Sequence, residues 1–245
     1  MYRTKQIADL VGLHPNTIRI YEEWGFISPV PRQANNYRVY SQTHLLQLQI
    51  AKRLFRCEIV QGNLRHRARQ IVYSCAGENY TLAGELTEQY MQHLETEYQQ
   101  AVSAAQVVER WLARRVPQSS TTYSRRQAAR ILQTTPEALR SWERNGLISI
   151  PRNTEGHRRY GAAEMERLQI IRGLRSAHYS ISAVLRLLSQ IHQPDPDVVG
   201  LLDTPNTDEE ISHVTDRLIS SLSSAKADAA DVLAWLHDQD KKGSE

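Results

Sequence analysis

Thr17-Ile18-Arg19-Ile20-Tyr21-Glu22-Glu23-Trp24-Gly25-Phe26-Ile27 is answered later in the chain by Leu139-Arg140-Ser141-Trp142-Glu143-Arg144-Asn145-Gly146-Leu147-Ile148. Each stretch reads as the second half of a two-helix unit. Pro15 and Pro136 stand just upstream, where a proline in the first helical turn gives up no hydrogen bond. Thr135 is a good N-cap for the second copy, and His14 a poorer one for the first. Gly25 and Gly146 are placed to end the helices, because glycine enters the left-handed conformation without steric cost. Before them, residues 4–11 and 124–132 predict a shorter helix, with Ile7, Leu10 and Val11, or Ala128, Ile131 and Leu132, on one face. Two helices about three residues apart form a helix-turn-helix. Beyond it, residues 27–32 and 37–40, and likewise 148–152 and 157–160, flank polar tips and predict a two-stranded wing.

The likeness extends past these stretches. Aligning Tyr2 with Tyr123, with a one-residue shift at Pro29, gives 17 identities across residues 2–54. Among them are Gln6/Gln127, Ala8/Ala129, Arg19/Arg140, Glu22/Glu143, Arg32/Arg152, Arg38/Arg158, Tyr40/Tyr160 and the tripeptide Leu-Gln-Ile at 48–50 and 168–170. A module is duplicated within the chain.

The motif running from Thr17 to Ile27, then a proline, Arg32 and Tyr37-Arg38-Val39-Tyr40, closely resembles the DNA-binding signature of the MerR family of bacterial transcription regulators. The second copy repeats it through Arg158-Arg159-Tyr160. The resemblance covers roughly residues 2–115 and 123–191. In copy one, residues 57–72 lack the glycine-aromatic-serine turn of the family's second helical pair, which His178-Tyr179-Ser180-Ile181 approximates in copy two. The resemblance implies a mainly α fold: two winged helix-turn-helix heads, at 1–76 and 117–193, each followed by a long coiled-coil helix, at 77–116 and within 194–245. It also implies that the helices opening at Pro15 and Pro136 enter the major groove of double-stranded DNA. Asn16, Thr17, Arg19 and Tyr21, or Arg126, Glu137, Arg140 and Trp142, then lie nearest the DNA. Arg38 and Tyr40, or Arg158 and Tyr160, approach phosphates from the wings. For Tyr21 and Trp142, packing in the core is the competing expectation. Bacterial RNA polymerase is an implied partner, engaged when the regulator distorts promoter DNA.

Charge fits that reading. The formal net charge is only +3, yet residues 1–76 and 117–193 each carry +7, while 77–116 and 194–245 carry −3 and −8. Cationic heads suit phosphate attraction. Hydrophobic content of 40% and no apolar run approaching roughly 18 residues describe a soluble chain with no membrane span. The polar start and the presence of only Cys57 and Cys75 point to the cytoplasm.

Two apolar stripes demand partners. The first is Leu82, Leu86, Tyr90, Leu94, Tyr98, Ala101, Ala105, Val108 and Leu112; the second is Ile211, Val214, Leu218, Leu222, Ala225, Ala229, Val232 or Leu233, and Leu236, with Asn206 or Thr207 as cap. By the resemblance these are dimerisation helices, which pair antiparallel. The short linker 116–122 lets the second head take the place of a partner's head, so that one chain is a monomeric pseudo-dimer. A homodimer with four heads satisfies the stripes equally.

No catalytic motif, phosphate-binding glycine loop or metal-ligand spacing is present, so the chain reads as neither enzyme nor cofactor protein. Cys57 and Cys75 read as structural residues, His66 and His93 as surface or packing residues. An effector, if the chain has one, binds between helices or at a head, where Tyr73, Tyr80, Tyr90, Tyr98, Trp111 and Trp235 offer aromatic surface. An architectural, excision-type DNA-bending protein is the alternative to a promoter regulator.

Overall fold

The computed structural model describes residues 1–57, 63–112, 121–191, 193, 196–204 and 217–243. Residues 116–120 of the expected linker, the caps Asn206 and Thr207, and the stripe positions Ile211 and Val214 lie outside the described residues. The chain divides into two units, Met1–Glu97 with Ser221–Glu245, and Tyr98–Ser220.

In unit 1, α1 (Thr4–Val11) and α2 (Pro15–Glu23) form the helix-turn-helix, and α3 (Gln42–Leu54) packs across α1. The core is Ile7, Ala8, Val11, Ile18, Ile27, Tyr40, Leu45 and Leu48. Leu10 corrects the expected face: it is 56% exposed, and Ala8 is buried in its stead. At 100° per residue, Ile7, Ala8 and Val11 span the arc facing α3, while Leu10 falls outside it. The second copy does the same with Ala128, Ala129 and Leu132 inside and Ile131 out. His14 does cap α2, its ring Nδ1 accepting from the Asn16 amide at 3.2 Å, and Gly25 adopts φ +70°.

The wing is slighter than a two-stranded ribbon. Among the described residues it consists of single antiparallel bridges, Arg32 to Arg38 and Tyr2 to Tyr40, repeated as Arg152 to Arg158 and Tyr123 to Tyr160. Pro29 and Pro31 lack the amide a longer ladder needs. The Val39 amide donates to the Pro31 carbonyl at 2.9 Å, and the Gln33 amide to that of Tyr37 at 2.9 Å.

Copy one builds a fourth helix despite its missing turn motif. α4 (Leu64–Ala76) buries Leu64, Ala68, Ile71, Val72 and Cys75 and packs on α3. Gln47, fully buried, joins three segments: its Oε1 accepts from the Ser28 amide at 2.8 Å and its Nε2 donates to the Cys75 carbonyl at 2.9 Å. Burial pushes the Cys75 thiol up to about 12.

The long helix α5 (Tyr80–Leu112) starts in unit 1 and ends in unit 2. Its buried stripe is Ala83, Thr87, Tyr90, Leu94, Ala101, Ala105 and Val108, so the expected start at Leu82 and Leu86 is displaced by one residue, and Leu82 is 41% exposed. α11 (Leu218–Gly243) buries Leu218, Leu222, Ala225, Ala229, Val232 and Leu236. Inside unit 1 it lies against the first head. Arg53 on α3 pairs with Asp228 at 3.2 Å and Asp231 at 2.8 Å, Arg56 pairs with Asp228 at 3.0 Å, and the Arg53 guanidinium stacks 4.8 Å from the Trp235 ring centroid. Lys226 pairs with Glu95 of α5.

Unit 2 repeats the head with α6 (Arg125–Ile131), α7 (Pro136–Arg144), α8 (Ala162–Ser176) and α9 (Ile181–Gln190). Thr135 caps α7 through the Ala138 amide at 3.1 Å, and Gly146 takes φ +77°. Ser180 caps α9, and the buried Tyr179 donates from its hydroxyl to the Ala101 carbonyl of α5 at 3.0 Å. A short helix not expected from the sequence, α10 (Val198–Asp203), packs on α9 through Val198 and Leu202. Asp203 then accepts from the Ile219 amide at 2.9 Å, satisfying an orphan donor at the start of α11.

Candidate nucleic-acid interface

A helix can read a groove only if its polar face is free and its orientation fixed. In α2, Ile18 points into the core, while Asn16 and Arg19 are exposed and Thr17 and Tyr21 partly so. In α7, Leu139 and Trp142 point inward, and Glu137 and Arg140 are exposed. Neither Arg19 nor Arg140 has a hydrogen-bond or ion-pair partner among the described residues, so each extends a solvated guanidinium from the same helical position.

The wings are tied to these helices by one repeated device. Arg38 Nε donates to Glu22 Oε2 at 2.5 Å, and Arg158 Nε to Glu143 Oε1 at 2.7 Å. Glu143 also accepts from Arg125 at 3.4 Å, and Arg125 in turn donates to the Tyr160 hydroxyl at 3.2 Å. Each pair does two things: it fixes the wing against the second helix, and it neutralises a carboxylate that would otherwise repel phosphate. The arginines remain 27% and 32% exposed, leaving donor groups at the surface.

Three residues expected at the DNA are buried, and for Trp142 this is the core packing that competed with a DNA contact. Tyr40 and Tyr160 are 0% and 1% exposed, and Trp142 is 8% exposed. The bridges to Tyr2 and Tyr123 turn both tyrosines into the heads, and Trp142 shares the inward face of α7 with Leu139. Tyr21 packs edge-on to Phe26 and Phe55, with ring centroids 5.5 and 5.9 Å away, and burial pushes its hydroxyl above the ordinary tyrosine range, with Arg65 opposing. Arg126 is exposed on the first turn of α6. Sequence reading missed Arg125, Arg152 and Arg159, which with Ser124 and Arg158 line a cleft of about 410 Å³ between the start of α6 and the second wing. The signal for Arg152 was present in its identity with Arg32 across the repeat.

No helix among the described residues is long and apolar enough to cross a membrane. Residues 2–58 and 123–191 each match the model of the MerR HTH family regulatory proteins. The HTH-type transcriptional regulator CueR of Escherichia coli O157:H7 is 41% identical over 46 residues, 19% of this chain and 34% of CueR. CueR of Salmonella typhimurium is 41% identical over 46 residues, 19% of this chain and 33% of that protein. A Haemophilus influenzae protein described as a probable heavy metal-dependent transcriptional regulator is 32% identical over 69 residues, 28% of this chain and 54% of its own length. The chain thus spans about a third of CueR and about half of the Haemophilus protein. No solved structure matches significantly. With the family's HTH model matched at both heads, each presenting an exposed arginine beside a wing tied down by Arg and Glu, the chain belongs to the MerR family of helix-turn-helix regulatory proteins and carries in tandem the region that the family model describes.

Proposed function

We propose that this protein binds one asymmetric promoter site with its two non-identical heads, residues 1–76 and 117–193, and distorts the DNA so that RNA polymerase engages it. The observation that carries the reading is the pair of solvated arginines, Arg19 and Arg140, at matching positions on helices whose wings are held by Arg38–Glu22 and Arg158–Glu143. Asn16, Thr17, Arg19 and Tyr21, with Arg126, Glu137 and Arg140, form the reading set. Arg38 and Arg158 contact phosphate from the wings, and Tyr40, Trp142 and Tyr160 hold the heads from inside. Asparagine at the helix start suits adenine, whereas Glu137 at the matching position accepts from cytosine, so the half-sites differ.

Packing within each unit supports a single-chain pseudo-dimer. The helix following the second head, α11, packs on the first head through Asp228 and Trp235, and the end of α5, which follows the first head, receives the Tyr179 hydroxyl of the second. Within each unit the head rests on the long helix that follows the other head. Bending a site costs several kcal/mol, offset by contacts from two linked heads. Selection of bound sequences from random DNA, followed by mass measurement of the complex, tests the reading. A non-palindromic site with one chain per duplex is expected; a palindrome bound by two chains at the lowest active concentration refutes it. DNA bent in the complex with transcription in vitro unaffected would favour the architectural alternative, and unchanged curvature would remove distortion from the reading.

A further inference from the structure

The two units can be compared at the joint between head and long helix. α5 and α11 share a register that the heads' own repeat does not disclose: Ala101, Ala105, Val108, Trp111 and Leu112 align with Ala225, Ala229, Val232, Trp235 and Leu236. On the head side, α8 aligns with α3, so that Gly173 and Ser176 stand where Arg53 and Arg56 stand in unit 1. The consequences differ sharply. In unit 1 the Arg53 guanidinium covers Trp235 and is held by Asp228 and Asp231. In unit 2 the tryptophan remains as Trp111, but its stacking partner has become Gly173, and the two aspartates have become Ala104 and Val107.

What the substitutions leave is a groove of about 460 Å³, lined by Ala104, Val107, Val108, Trp111, Ile170 and Gly173. A Cβ added to Gly173 meets nothing within 4 Å, and Val107 is 55% exposed on its side of the groove. The volume falls within the range of small-molecule sites, which are mostly apolar with a few polar groups; Gln100, Gln169, Ser103 and Ser176 supply such groups here. All lining residues belong to unit 2.

We propose that this groove is a binding site for a small, planar, uncharged aromatic molecule, which stacks on Trp111 over Gly173 in the place that Arg53 fills in unit 1. Planarity follows from the surface offered: an indole face with a glycine opposite accepts a flat group in offset or edge geometry. Neutrality follows from the internal comparison. Among the described residues lining this groove there is no counterpart of the carboxylates that hold a cation over Trp235, so a buried positive charge would find no compensation from them. Occupation would act at the joint between the second head and its supporting helix, the position from which a head's orientation is set.

The test titrates the full chain, without DNA, with N-phenyl-1-naphthylamine, a neutral aromatic dye that brightens in apolar surroundings. Saturable binding of one dye per chain is expected, with excitation transfer from tryptophan. Gly173→Leu and Gly173→Met each refill the groove and should weaken binding at least about tenfold, while far-UV dichroism stays unchanged and Tm does not fall, since each replaces a glycine inside α8. Trp111→Ala should weaken binding to a similar extent and abolish the transfer. The proposal is overturned by absence of saturable binding, by binding that survives both Gly173 variants, or by a cationic aromatic dye binding more tightly than the neutral one. Because the dye titration uses no DNA, its failure leaves the promoter-binding reading standing, and failure of that reading leaves the groove to be judged alone.

Discussion

Asp228 is the point at which the hold of α11 on the first head is most exposed to perturbation. Its side chain is 6% exposed and receives two guanidiniums, from Arg53 at 3.2 Å and Arg56 at 3.0 Å. Asp228→Asn keeps the shape and one acceptor but removes the charge. Charge-assisted hydrogen bonds contribute roughly 1.5–3 kcal/mol each. Here Arg53 and Arg56 are 35% and 62% exposed and regain water, so solvent screening brings the expected loss to about 1–2 kcal/mol for the cluster. That corresponds to a fall of roughly 2–4 °C in Tm per kcal/mol. Urea denaturation of the wild type, Asp228→Asn, Arg53→Met and the double variant forms a thermodynamic cycle, and a coupling of about 0.5–1.5 kcal/mol is expected between the two sites. Since the pair lies within one chain, the coupling should not change with protein concentration. Additive single effects, or a coupling that appears only at high concentration, would refute the packing of α11 on its own first head.

Arg19→Ala and Arg140→Ala should each weaken specific binding by about 1–3 kcal/mol and relax preference in one half-site only, as read by competition binding at several salt concentrations. Glu143→Gln should loosen the second wing, raising protease cleavage near residues 152–158 and lowering DNA affinity, whereas loss of affinity without new cleavage would show that Glu143 does not act by holding the wing. Cys75, its thiol pushed up to about 12 by burial, should resist alkylation in the native chain below pH 9 and react once urea unfolds it. Because the folded value lies above the unfolded one, the thiol contributes no pH dependence near neutrality and favours unfolding as pH rises from about 9 toward 12.

Short-range signals were legible and long-range ones were not. Gly25, Gly146, Pro15, Pro136 and Thr135 act within a few residues of themselves, and the structure places each where its local chemistry puts it. The repeat located both heads because identities such as Glu22/Glu143 and Arg38/Arg158 needed only alignment. What those residues do together, joining helix to wing, required three dimensions. Trp142 shows the limit of a motif: its position matches that of the partly buried Tyr21, and its indole is buried on the inward face of α7 with Leu139. The stripe of α5 was misplaced at its start because Leu82 is more apolar than Ala83, and yet the small residue is the one that lets a neighbour approach. α10 escaped notice because six residues are too few for a helical period. The Arg53–Asp228 pair joins residues 175 apart, beyond the reach of any local pattern.

The same comparison explains what a tandem chain can do that a homodimer cannot. In a homodimer every substitution appears twice, so a change that opens a groove or alters a base contact does so on both sides of a palindrome. Within this chain some paired positions keep their work while changing residue. Lys52 donates to the Val11 carbonyl at the end of α1 at 2.6 Å, and Arg172 reaches Gln133 in the matching turn at 3.1 Å. Gln47 accepts from the Ser28 amide, and Arg167, its counterpart, donates to the Leu147 carbonyl at 2.8 Å. These substitutions preserve the head. Others separate the two copies: Asn16 against Glu137 at the exposed start of α2 and α7, and Arg53 against Gly173 beneath the long helix. In the first kind, matching positions tie matching segments of the two heads by different bonds. The second kind confines difference to what each head touches, so the proposed asymmetric DNA site and the proposed ligand groove would have one physical origin, the freedom of each copy to change alone.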